Sequence, residues 1–196
     1  MTDTSFPMPP HLVFLPATDP GETTFGVIPE CIPTHPELRL DAVFFPTMVW
    51  YNRQVRAAAI EQIKRLATGR VVLVGFSKSG LGAWNLTREL ADRVAATIIF
   101  DAPVARDQLP PWGTAPFYGD DEAWQEDLPI RHIAAHREAV PASHRLILVT
   151  GANFHDEMVT FSAALNEQGV AHDLVALPDR RHHWDSGWLG VALARL

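Results

Sequence analysis

Two rhythms of apolar and polar positions alternate along the chain. Short, largely apolar runs predict strands at His11–Leu15 (HLVFL), Val71–Val74 after Arg70, Ala96–Phe100 (ATIIF), Arg145–Thr150 (RLILVT) and Asp173–Leu177 (DLVAL), and Leu38–Phe45 (LRLDAVFF), which alternates and then becomes apolar, predicts another closed by Pro46. Between them lie segments with helical spacing. In Tyr51–Thr68, Val55, Ala59, Ile63 and Leu66 form one stripe, Arg53, Arg56, Glu61 and Lys64 fall mostly off it, and Gly69 supplies a stop. Ser79–Arg93 reads as a second helix with Leu81, Trp84 and Leu90 inward, and a third carries Met158, Phe161 and Leu165 before Gly169. A short helix closes the chain. Fully apolar strands alternating with helices predict an α/β fold, a three-layer α/β/α sandwich around a mostly parallel sheet of about six strands.

Two stretches break the rhythm. Residues Ala17–Pro36 carry Gly, Pro, Thr and Asp at short intervals, which predicts a long loop with one helical turn near Glu30. Residues Ala102–Ser143 are rich in Pro and Trp, with acidic Asp120, Asp121 and Glu122. That composition is unlike a flexible linker and predicts a small cap or lid inserted within a single domain spanning residues 1–196, where aromatic side chains could line a pocket.

Bulk properties narrow the function classes. A net charge of −7 opposes a nucleic-acid or anionic-membrane surface. Cys31 is the lone cysteine, so no internal disulfide is expected. The start, MTDTSFPMPP, lacks the features of a signal peptide, and no apolar run reaches the ~20 residues of a membrane span. A cytoplasmic protein is expected.

The chemistry centres on RVVLVGFSKSGLG, residues 70–82, a buried strand that turns sharply into a helix. Gly75-Phe76-Ser77-Lys78-Ser79 matches the nucleophile elbow GxSxG of serine hydrolases except that Ser79 stands in place of the last glycine. The positions two before and two after the serine lie against backbone and must be small; Gly75 and Ser79 are. After the last predicted strand comes LPDRRHHWDSGW, which resembles the terminal LPGGHxW-type loops of small α/β-hydrolase esterases. The chain thus resembles the α/β-hydrolase superfamily, a small serine esterase-like protein in compact form.

That resemblance implies a cofactor-free and metal-free hydrolase of carboxylic esters, with thioesters or small amides as further candidates, working through an acyl-serine. Ser77 would be the nucleophile. Aligning the histidine two residues before Trp184 selects His182 as base, with His183 in reserve. Asp156, which follows strand Arg145–Thr150, is the first choice of orienting acid and Asp101 the alternative, since some lipases take the acid from the preceding strand. One oxyanion donor is expected from the Lys78 N–H and the other from the loop near Ala17 or Thr18. The Lys78 side chain is expected to reach water, with attraction of an anionic substrate group as the alternative. His132 and His136 share a helical face, but Ile133 stands where a HExxH motif needs Glu, so they read as surface histidines. The competing class is a catalytically inactive hydrolase-fold protein that binds a small molecule under residues 102–143.

Overall fold

The computed structural model describes residues 11–16, 38–184 and 186–196. The expected loop at Ala17–Pro36, and with it Ala17 and Thr18, lies outside the described residues. Six strands form one sheet in the order β2-β1-β3-β4-β5-β6, and every neighbouring pair is parallel. They are β1 (His11–Phe14), β2 (Arg39–Ala42), β3 (Val71–Phe76), β4 (Val94–Phe100), β5 (Arg145–Val149) and β6 (Asp173–Val175). The chain steps outward from β1 to β2, then returns to β3 on the other side of β1. Open parallel sheets place ligand crevices beyond the strand C-termini at such a reversal.

The helices are α1 (Arg53–Leu66), α2 (Lys78–Glu89), α3 (Ala115–Tyr118), α4 (Asp121–Asp127), α5 (Ile133–Ala139), α6 (His155–Glu167) and α7 (Trp188–Leu193), with a 3₁₀ turn at Pro129–His132. Strand residues of one parity, such as Val13, Leu73 and Leu148, face a core completed by Ile63 of α1, Trp84 of α2 and Phe161 of α6. The other parity, including Phe14, Val74 and Ile147, packs on Trp188, Leu189 and Ala192 of α7. Both faces are covered over the centre of the sheet, which is why β3 and β4 are buried along their whole length, whereas the outermost strands β2 and β6 are partly open. Alternation sorts each strand residue to one layer or the other.

Residues 102–143 divide in two. Tyr118, Trp124 and Leu128 make a small apolar cluster with Trp50 and with Leu81 of α2. Farther on, Ile133 of α5 joins the main core, and the His136 ring lies on Trp84 at 3.9 Å and 10°.

Two expectations for side chains are corrected here. Arg56, expected off the buried stripe of α1, is only 4% exposed. It is drawn in by carboxylates of other helices, Glu89 at 2.8 Å and Asp127 at 2.7 Å. His136, expected on the surface, is 3% exposed. Its imidazole behaves as an aromatic plate against Trp84, and burial, followed by the His144 and Arg88 charges, pushes its pKa down to about 3.

Candidate active site

β3 ends at Phe76 and α2 begins at Lys78, so one residue makes the turn. That residue, Ser77, has φ 54° and ψ −123°. Such a conformation costs a side-chain-bearing residue on the order of 1–3 kcal/mol and persists only where the surroundings impose it. The imposition is visible: a Cβ on Gly75 would lie 2.3 Å from the Ser79 carbonyl oxygen, so the turn closes only over glycine. Ser79 is fully buried. Its Oγ accepts from the Phe76 N–H at 2.9 Å and lies 3.0 Å from the Leu15 carbonyl and 2.9 Å from that of Phe76. The hydroxyl that replaces the motif's glycine therefore ties the ends of β1 and β3 beneath the elbow.

Among the described residues, the only other non-glycine with positive φ is Asp101, at 42°. It follows β4, the strand hydrogen-bonded beside β3. Asp101 is fully buried. Oδ1 accepts from the N–H groups of Gly151 at 3.0 Å and Phe154 at 2.8 Å. Oδ2 accepts from Asn153 N–H at 3.2 Å and meets His182 Nδ1 at 2.6 Å. With backbone donors on both oxygens, the imidazole must donate from Nδ1, which leaves Nε2 with its lone pair. A Cβ on Gly151 would fall 2.5 Å from Asp101 Cγ, so the close approach needs that glycine.

The His182 side chain is 19% exposed. Its ring packs against Phe76, the residue before Ser77, at 4.4 Å and against Phe154 at 5.5 Å. The loop carrying it is pinned by Arg180, whose Nη1 donates to Ser186 O at 2.7 Å and whose carbonyl accepts from Ala152 N–H at 2.9 Å. Arginine at this position gives the loop an anchor that glycine lacks.

Ser77 and Asp101 thus stand at the C-terminal ends of the adjacent central strands β3 and β4, with His182 bonded to Asp101 and its ring on Phe76, while the first-choice acid is not the partner of His182. Asp156 is exposed in the first turn of α6, where a carboxylate is favoured by the helix dipole. The β5 loop instead turns its backbone N–H groups toward Asp101, the alternative acid. His183 is not among the partners of Asp101. Lys78, expected to reach water, is 8% exposed, with its ammonium 5.7 Å from the centre of the Trp50 ring. The donors Gly151, Asn153 and Phe154 escaped the sequence reading; the one available signal was Gly151, a glycine directly after a strand.

His132 and His136 part company, His132 Nε2 lying 2.5 Å from Glu126 O. Among the described residues no group of three or more His, Cys, Asp or Glu could hold a metal ion, and no helix is long and apolar enough to cross a membrane.

No protein-family model and no curated protein sequence matches this chain. Solved structures do. A ferulic acid esterase is 15% identical with TM-score 0.63, covering 95% of this chain and 83% of its own. The S-formylglutathione hydrolase of Agrobacterium tumefaciens is 14% identical with TM-score 0.63, covering 96% and 85%. Fluorophosphonate-binding serine hydrolase F of Staphylococcus aureus is 13% identical with TM-score 0.60, covering 99% and 86%. At these identities the likeness establishes the fold, which is that of the α/β-hydrolases.

Proposed function

We propose that this chain is a serine hydrolase that cleaves carboxylic esters through an acyl-serine intermediate, with Ser77 as nucleophile, His182 as base and Asp101 as the acid that orients it. The observation that carries the reading is the 2.6 Å contact between His182 and buried Asp101 at the strand ends that also present the strained Ser77.

Asp101 holds the proton on Nδ1, so Nε2 can take the Ser77 hydroxyl proton as Oγ attacks the ester carbonyl. The developing oxyanion would be met by the Lys78 N–H in the first turn of α2, with a second donor from the loop at Ala17 or Thr18, outside the described residues. Collapse of the tetrahedral intermediate breaks the C–O bond, and the leaving alcohol takes the proton from Nε2. Water then repeats the sequence on the acyl-serine. Trp112, 38% exposed and edge-on to Phe154, offers an apolar surface for the ester's hydrocarbon part.

The test is labelling by a fluorophosphonate probe with peptide mapping, alongside hydrolysis of p-nitrophenyl acetate. Wild type should be labelled at Ser77 and turn over; Ser77→Ala should do neither while melting at the same temperature. Wild type unlabelled at Ser77 would sink the esterase reading and leave the fold as a binding scaffold.

A further inference from the structure

The loop after β5 touches both sides of the contact between His182 and Asp101. Its Gly151, Asn153 and Phe154 N–H groups hold the Asp101 carboxylate. The Ala152 N–H between them donates at 2.9 Å to the carbonyl of Arg180, two residues before His182. Thr150, which precedes these four, is fully buried, and no step of the proposed reaction uses it.

Thr150 stands where β6 departs from its ladder with β5. Its N–H donates to the Val175 carbonyl at 3.0 Å, continuing the parallel pairing of Val149 with Val175. In a regular parallel ladder the next bond would run from the Leu177 N–H to the Thr150 carbonyl. It runs instead to the Thr150 hydroxyl, at 2.8 Å. A side-chain oxygen thus takes the bond at the point where the strand becomes the histidine loop. The Leu177 carbonyl then accepts from the Arg180 N–H at 2.9 Å. The bonds Thr150–Leu177, Leu177–Arg180 and Arg180–Ala152 close a ring that fixes the loop just ahead of the imidazole. The hydroxyl is itself held, 2.9 Å from His155 Nδ1 at the start of α6. Turning it away would leave buried polar groups unmet.

We propose that Thr150 is a positioning residue for His182: its hydroxyl sets the course of the loop so that the imidazole stays on Asp101. This goes beyond the esterase reading and rests on it only for the kinetic part of the test. A misplacement of about 1 Å in a catalytic group can cost ~10²-fold in rate.

Thr150→Val keeps the shape of the side chain and removes the hydroxyl, whereas Thr150→Ser keeps the hydroxyl. Proton NMR of the full chain should show a low-field Nδ1–H signal from the 2.6 Å bond to Asp101, assigned by its loss in His182→Gln. In Thr150→Val that signal should move upfield or vanish. On p-nitrophenyl acetate its kcat should fall roughly 10–100-fold with KM within about threefold of wild type. Thr150→Ser should keep the signal and recover kcat to within about threefold. Should Thr150→Val not fold, Thr150→Ala carries the same comparison. A variant without the hydroxyl that is only less stable in urea, with signal and kcat as in wild type, would overturn the role, as would a Thr150→Ser as impaired as Thr150→Val. A wild type without esterase activity whose signal still depends on the hydroxyl would keep the positioning role and remove the esterase reading.

Discussion

Replacing Asp101 by asparagine tests the proposed site where its geometry is most specific. The carboxylate has four partners: Gly151 and Phe154 N–H on Oδ1, and Asn153 N–H with His182 Nδ1 on Oδ2. Asparagine keeps one acceptor oxygen, and its best placement is at Oδ1, where two backbone donors remain satisfied. Its NH₂ then faces Asn153 N–H and the imidazole. The first contact becomes donor against donor and costs roughly 1–3 kcal/mol of stability. The second turns the histidine around electronically, because Nδ1 must now accept. The ring proton moves to Nε2, the atom that should remove the Ser77 proton. In the Ser-His-Asp template the same exchange lowers kcat by about 10⁴, or ~5 kcal/mol of transition-state stabilisation. Asp101→Asn should therefore lose roughly 10³–10⁴ in kcat on p-nitrophenyl acetate, with KM changed far less. Asp156→Asn, exposed on α6, should stay within about twofold of wild type. An Asp101→Asn protein that keeps a tenth of the activity, or an Asp156→Asn protein that loses it, would refute the assignment.

Two further outcomes concern the frame. Ser79→Ala removes the acceptor of Phe76 N–H in a site with no exposure, so urea unfolding should show a loss of about 1–3 kcal/mol. His136 has a pKa of about 3 folded against ~6.5 unfolded, so below pH 6.5 the unfolded chain binds the extra proton and stability falls as pH falls. That one group should remove about 2 kcal/mol between pH 7 and pH 5, and His136→Phe, which keeps the stack on Trp84, should abolish that part of the slope in urea titrations at the two pH values.

Much of this protein is local and therefore legible in sequence. The central strands are short apolar runs because both faces of the sheet are covered there, and the core-facing stripe of the long helices recurs with the turn. The elbow is local as well, since Gly75, Ser77 and Ser79 act within five residues of one another. Misreadings arose where a residue's surroundings come from elsewhere in the chain. Arg56 sits on the buried side of α1 because α2 and α4 present carboxylates to it. His136 is buried against the Trp84 ring, and the Lys78 ammonium lies over the Trp50 ring. No property of a one-helix stripe encodes those neighbours.

The acid shows the same division most sharply. Residue types and order marked Ser77, an aspartate and His182 as one set, since that chemistry needs a nucleophile, a base and an orienting carboxylate wherever they lie. Which aspartate meets His182 was decided by sheet geometry. β4 lies between β3 and β5, so Asp101, the residue after it, emerges beside the elbow and against the loop after β5. That loop, approaching through Gly151, provides three N–H groups that hold the Asp101 carboxylate toward a histidine 81 residues away in sequence. Spacing along a chain carries no information about such a contact, because it depends on strand adjacency and on the space that a missing Cβ leaves.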